Sequence, residues 1–378
     1  MRKIVMEMPP FYVIEVLERA QELERQGRSI IHLEVGEPDF PTPNCIKKAA
    51  EKAIREGKTR YTASLGLLEL REAIAEHYLE KYGVSVSPNQ IIVTNGSSPA
   101  LVVIFSVLLE AGDEVILSDP HYACYPNIVR FLGCTPVFVE VNEDEEFRFN
   151  PEEIKERIGS KTKAIMINSP ANPTGHVLDA RTLDEIAKLG PIVVSDEIYH
   201  GLTYEGKAHS ILEFTDNAFV ASGFSKQFAM TGWRLGYIIA PKKYVRPLQK
   251  LMQNFFIAAN TISQWAGIAA IKEAGPDVKR MVDVFNKRRK LIIKRLRGIG
   301  LGVAVEPAGA FYVLANAKKF TDDSLKFAFE LLEKAGVGAT PGIAFGRNAE
   351  GYIRFSYANS IENISEGINR LQKYFTSR

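Results

Sequence analysis

Cysteine is scarce. Cys45, Cys124 and Cys134 are the three in 378 residues, widely spaced, odd in number and without a CxxC pair. No disulfide framework is expected, and a reduced, cytoplasmic compartment follows. Net charge is nearly absent as well: a balance of +2 gives no electrostatic drive toward nucleic acid or an anionic membrane. One basic stretch, Asn286 to Arg297, departs from that balance, but Leu291, Ile292 and Leu296 recur in it at helical spacing. It reads as an amphipathic helix with a solvated basic face rather than a nucleic-acid patch. Long hydrophobic runs are missing too. "ALVVIFSVLL", the longest, is too short to span a bilayer. The N-terminus begins basic, yet Pro9, Pro10, Glu15 and Glu18 break the apolar stretch a secretory leader needs. The six histidines show no metal-ligand spacing.

What is present is globular. Hydrophobic residues make up 46%, enough for a sizeable core in two domains or three. Charged residues at 24% exclude wholesale disorder. Between residues 91 and 240, short apolar runs alternate with helical patterns: "IIVTNG", "EVILSDP", "TPVFVEV", "KAIMINSP", "IVVSDEIY", "AFVASGFSK" and "GYIIAP". Most are rich in Val and Ile on both faces, as buried strands of a largely parallel sheet should be. The expectation is an α/β layered domain. After about residue 275 the texture changes to a long charged helix, a strand-like "FYVLA", a helix "DSLKFAFELLEKAG" and strand-like "GVGAT" and "YIRFSYA". That order predicts a smaller α+β domain over 276–378, a large domain over 41–275, and an N-terminal arm and helix (1–40) joining the small one.

In open α/β sheets, ligands bind beyond the carboxyl ends of the strands. The unusual polar residues fall at those ends: Asn95, Gly96, Ser97 and Ser98; Asp119 and Tyr122; Asn168 leading to "ANPTG"; Asp196, Glu197 and Tyr199; and Lys226. If the strands are parallel, all meet along one cleft. "NGSSPAL" offers free N–H groups at a helix start, an anion site that Arg234 complements, or else a plain helix cap. Asp196 at a strand end suits a cationic partner such as a protonated ring nitrogen, or caps the next helix. Tyr122 suits stacking on a planar ring or core packing; Asn172 and Tyr199 suit a ring hydroxyl, or a turn and a half-buried aromatic. Lys226, desolvated beside cations, would be a nucleophilic amine. Phosphate, planar ring, ring nitrogen and imine-forming lysine together specify pyridoxal 5′-phosphate.

Those residues carry a resemblance. The chain resembles the class I/II aminotransferases, pyridoxal-phosphate enzymes of fold type I, through "LEVGEPDFPTP", "VTNGSSPAL", "DPHYACYPN", "NSPANPTG", "SDEIYHGLTY", "GFSKQFAMTGWRLGY", "TPGIAFG" and "GYIRFSYA". The resemblance implies a three-layer α/β/α large domain whose mostly parallel seven-stranded sheet has one antiparallel strand, "GYIIAP". It implies Lys226 as Schiff-base lysine and proton shuttle, and Asp196 at the pyridinium nitrogen. It implies Asn172 and Tyr199 at the ring oxygen, Tyr122 stacked on the ring, and Gly96, Ser97, Ser98, Ser225 and Arg234 around the phosphate. Arg354 would take the substrate α-carboxylate, with Gly36 approaching through its backbone. Tyr61 would reach the phosphate of a neighbouring subunit, which implies a homodimer with shared active sites. Gly223 stands where the family usually has a phosphate-binding serine, so one hydroxyl is expected to be lost there.

The activity so implied is transfer of an amino group between an L-amino acid and a 2-oxo acid, with 2-oxoglutarate expected as acceptor, by ping-pong aldimine and ketimine chemistry. A carbon–sulfur β-lyase on the same fold is the alternative, because the same carbanion can expel a β-substituent. A non-catalytic sensor domain joined to a DNA-binding module is the remote one. Against it, the lysine is present and the matching motifs begin near Leu33, leaving no room for a winged helix upstream. For the substrate side chain, Phe11, Tyr12, Tyr122 and Phe256 are candidate lining residues of an aromatic-tolerant pocket.

Overall fold

The computed structural model describes residues 2–377. A short strand, β1 (Ile31–His32), precedes the main sheet. The main sheet is built from β2 (Ile91–Thr94), β3 (Glu114–Asp119), β4 (Thr135–Glu140), β5 (Thr162–Asn168), β6 (Ile192–Asp196), β7 (Ala218–Gly223) and β8 (Gly236–Ile239). Its seven strands run in the order β2-β8-β7-β6-β5-β3-β4. Each of the apolar runs expected to be a strand is one. β8, within "GYIIAP", lies antiparallel to both β2 and β7, while the pairings from β7 through β4 are parallel.

Successive side chains of a strand point to opposite faces, and the core divides accordingly. Val193, Ile165 and Val220 enter one apolar cluster with the helices Asn44–Arg55, Leu68–Tyr82 and Thr261–Glu273. Val194, Met166 and Phe219 enter another, with the helices Ser97–Leu108, Tyr125–Phe131 and Lys242–Phe255. Runs without polar alternation therefore reflect a sheet covered on both faces.

The C-terminal part carries β9 (Tyr312–Asn316), β10 (Val337–Gly338), β11 (Thr340–Pro341) and β12 (Tyr352–Ser356). β11, β12 and β9 form an antiparallel sheet, and β10 pairs in parallel with β1. "GVGAT" thus becomes two short strands, because its halves pair with different partners. The helix Tyr12–Arg25 packs Val16, Ala20 and Leu23 against Ile30 and Leu332.

The long helix Gly275–Gly298 forms with Phe285, Ile292 and Leu296 buried. Its basic face departs from expectation. Lys287, Lys290 and Lys294 are exposed, but Arg288 and Arg289 are buried. Arg288 makes a bidentate pair with Asp39 at 2.6 and 2.8 Å, and Arg289 pairs with Glu205 and donates to the Pro307 carbonyl. Partners distant in sequence replaced solvent as the destination of these two charges. Among the described residues, no helix is long and apolar enough to cross a membrane.

Candidate active site

The carboxyl ends of β2, β5, β6 and β7 open on one cleft of about 300 Å³. β6 delivers Asp196, which is buried. Its Oδ2 accepts from the Tyr125 hydroxyl at 2.8 Å and its Oδ1 from the Ile198 N–H at 3.1 Å. Burial pushes its pKa up to about 6 despite those donors and Lys226, so a cation in the cleft would restore the carboxylate.

β7 runs into Lys226. The side chain is half-buried and lines the cleft, and its Nζ donates to the Gly36 carbonyl at 2.5 Å. The protein packed around the amine lowers its pKa to about 8, an effect opposed by Glu37 and reinforced by Arg354 and Arg234. A usable fraction is therefore the neutral, nucleophilic amine near neutral pH.

β5 ends at Asn168, whose side chain donates to the Asp196 carbonyl at 2.9 Å and accepts from the Asn172 N–H at 2.8 Å. That brace fixes "ANPTG" beside β6. The Asn172 Oδ1 in turn accepts from Arg354 Nη1 at 2.9 Å. Arg354, on β12, is 2% exposed. Its Nη2 donates to the Glu34 carbonyl (2.6 Å) and to Thr340 Oγ1 (3.1 Å), and its guanidinium carbon lies 4.2 Å from the Tyr312 ring centre. Its buried Nε has no partner. A buried guanidinium paired only with neutral oxygens, with one donor left over, is poised for an incoming anion. Tyr199 shares a hydrogen bond with Tyr312 at 2.9 Å between hydroxyls. Gly36 has no room for a side chain: a Cβ there would meet the Tyr312 hydroxyl.

At the other end, Gly96 (φ +108°) precedes the helix Ser97–Leu108 without a side-chain cap. The N–H groups of Ser97 and Ser98 fall in the first turn, where an α-helix supplies no intrahelical acceptor. A Cβ at Gly96 would stand 2.6 Å from Arg234 Nη2, so the arginine lies directly against this turn. Arg234 is exposed, holds a left-handed φ of +51°, and donates to the Thr231 carbonyl at 2.9 Å. Ser225 lines the cleft, whereas Ser222 turns away to the Glu197 carbonyl. Tyr122 is half-buried in the cleft wall, edge-on to Phe11 and Tyr125.

Of the residues singled out in the sequence, Gly36, Ser97, Ser98, Tyr122, Asn172, Asp196, Tyr199, Ser225, Lys226, Arg234 and Arg354 line this one cleft, and Gly96 backs it. Tyr61 does not; it is 81% exposed on a loop held to the segment 249–261 through Ser64 and Arg60. Phe11 lines the cleft, while Phe256 packs on the core. Tyr125, Tyr312 and Thr340 were not foreseen. Tyr125 carries a faint signal, a second tyrosine three residues after Tyr122. Tyr312 and Thr340 read as ordinary strand residues, and only packing brings Tyr312 to the cleft and Thr340 against Arg354.

The donor set fits one kind of group: an anion at the helix start, a ring, a cationic nitrogen facing Asp196 and an aldehyde within reach of Lys226. The strand order and the lysine after β7 define the fold type I pyridoxal-phosphate transferase architecture, a large mixed sheet between helical layers with a smaller domain. The sequence pattern of the aminotransferase class I and II family matches residues 28–371, and the chain belongs to that family. It is 44% identical over 376 residues to a (5-formylfuran-3-yl)methyl phosphate transaminase of Methanocaldococcus jannaschii, covering 98% of each chain. It is 42% identical over 370 residues to an aspartate aminotransferase of Pyrococcus horikoshii, covering 95% of this chain and 93% of the relative. An aspartate aminotransferase structure from Thermus thermophilus with maleate superposes with a TM-score of 0.95 at 38% identity over 99% of each chain. The protein is therefore a transaminase of the pyridoxal-phosphate-dependent kind.

Proposed function

We propose that the chain moves an amino group between an L-amino acid and a 2-oxo acid in a ping-pong cycle, as a homodimer in the cytoplasm. When bound, pyridoxal 5′-phosphate supplies an aldehyde that takes up the amino group and a ring that withdraws electrons from the substrate Cα. Lys226 would hold the aldehyde carbon, and its Nζ is the base placed to take a proton from the substrate Cα. Asp196, positioned by Tyr125, would keep a ring nitrogen protonated. Asn172 and Tyr199 would hydrogen-bond the ring oxygen, and Tyr122 would pack against the ring. The turn Gly96–Ser98, Ser225 and Arg234 receive the phosphate. Arg354 binds the substrate α-carboxylate through its open donor, with the Gly36 backbone alongside.

The observation that carries this reading is the cleft's charge pattern. It brings a lysine amine of lowered pKa together with a buried carboxylate and a buried guanidinium, each lacking a counterion. 2-Oxoglutarate is the acceptor we favour, because relatives of this chain are aspartate aminotransferases, and aspartate, like 2-oxoglutarate, is a dicarboxylate. The homodimer is supported by family membership and by Tyr61, Phe255 and Ile257, large side chains exposed on a loop and at the end of the helix Lys242–Phe255 to which that loop is held. Adding amino acids to the holoprotein should bleach the bound aldehyde absorbance, and an oxo acid should restore it. In Lys226→Ala, turnover should fall by at least ~10²–10⁴-fold with cofactor still retained. Wild-type turnover in that variant sinks the mechanism. Pyruvate released from cystathionine without any oxo acid would mark a β-lyase instead.

A further inference from the structure

The Arg354 guanidinium hangs on one backbone carbonyl. Its Nη2 donates to the Glu34 carbonyl at 2.6 Å, and Thr340, which also accepts from Nη2, donates to that carbonyl at 3.1 Å. The Glu34 side chain is fully buried, and no step proposed above uses it. Its Oε1 lies 2.6 Å from His32 Nδ1. Its Oε2 has no partner among the described residues, and neither has Arg354 Nε. Gly338 leaves the carboxylate its room, since a Cβ there would overlap Oε2.

A buried carboxylate needs a cation. Two are at hand: Glu34 hydrogen-bonds His32, and it also acts on Arg354, favouring the charged guanidinium. The other groups around His32 leave it free for Glu34. Glu24, from the helix Tyr12–Arg25, meets His32 Nε2 at 3.2 Å but is 43% exposed, so solvent screens it. β10 pairs with β1 through Val337 and Gly338, which carry no charge. Asn359 donates to the His32 carbonyl, and Arg370 of the helix Ile361–Thr376 donates to the Ser29 carbonyl. A charged His32 therefore balances Glu34 and leaves the Arg354 charge to an incoming anion. A neutral His32 leaves Glu34 to Arg354, and the anion then binds against a buried negative charge.

We propose that His32 is a positioning residue for substrate binding: as an imidazolium it occupies the Glu34 carboxylate and so keeps the Arg354 guanidinium available to the substrate α-carboxylate. This deepens the role given to Arg354 above and rests on it.

The test times loss of the aldehyde absorbance in holoprotein, with the fastest of the common amino acids as donor. At pH 7.5, His32→Asn should raise the half-saturation constant about fivefold or more, the scale of one unit charge acting across part of a protein interior, with the limiting rate within about twofold. Adding Glu34→Gln to that variant should bring the constant back to within about twofold of wild type. His32→Arg, a cation at every pH, should keep the wild-type constant. The hydrogen bond to Glu34 raises the His32 pKa to about 9, against burial, so the wild-type constant should climb as pH passes through about 9 more than that of His32→Arg. Proton NMR, with His32→Asn assigning the signal, should show the His32 titration moving down in Glu34→Gln. A His32→Asn constant within about twofold of wild type, or a double variant as weak as His32→Asn, overturns the inference while the aminotransferase reading stands. An unchanged constant in Arg354→Leu overturns the role of Arg354 instead, and absence of bleaching with every donor overturns the aminotransferase reading itself.

Discussion

Lys226 and Arg234 follow β7 within one short stretch, yet they reach different surroundings. The lysine is enclosed and its proton loosened, while the arginine stays exposed beside the glycine turn of Gly96. Three residues before Lys226, Gly223 stands where the family resemblance implied a phosphate-binding serine. It ends β7 opposite Gly236 of β8, and a Cβ there would stand 2.9 Å from the Leu235 carbonyl oxygen and 3.1 Å from the Gly236 Cα. Close approach of two backbones fixes the glycine, and Ser225 is the hydroxyl residue that lines the cleft. Gly223→Ser should therefore lower stability by ~1–3 kcal/mol, as overpacking does, with no gain in cofactor affinity. Denaturant unfolding and cofactor titration check both halves. A serine variant that binds cofactor more tightly at unchanged stability contradicts the account.

At the scale of elements, the site depends on a small strand that sequence periodicity marks only weakly. β1 brings His32 and leads to Glu34, whose carbonyl accepts from Arg354 and from Thr340. The Glu34 side chain is fully buried and takes a 2.6 Å hydrogen bond with His32 Nδ1, while His32 Nε2 reaches Glu24 on the helix Tyr12–Arg25 at 3.2 Å. The hydrogen bond to Glu34 is the main cause that raises the His32 pKa to about 9, with both carboxylates adding to it and burial opposing. A raised histidine stabilises the fold fully below its ordinary pKa near 6.5 and loses that contribution as pH rises through about 9. Wild-type thermal stability should thus decline between pH 7 and about 10 more steeply than that of His32→Asn. Parallel melting curves across that range test it, and equal slopes refute the role of the pair.

At the scale of the whole molecule, one subunit leaves Tyr61 81% exposed and away from its own cleft. If the dimer shares its sites, Tyr61→Phe should still weaken cofactor retention, by about tenfold or more for a lost hydrogen bond to a phosphate. Dialysis against buffer, with mass measured in solution, checks both retention and assembly. Unchanged retention in a dimer removes Tyr61 from the site. The sequence by itself determined the strands of the main sheet, their doubly covered burial and the polar residues at their ends. These are local properties, written in apolar runs and in which residue follows each run. Only the tertiary structure decided that Tyr125 holds Asp196, that Tyr312 and Thr340 frame Arg354, and that Arg288 and Arg289 are paired inside the protein. Each of those contacts joins segments far apart in the chain. A strand tyrosine or a helix arginine looks the same in sequence whether its partner is solvent, core or a site, and packing alone tells them apart.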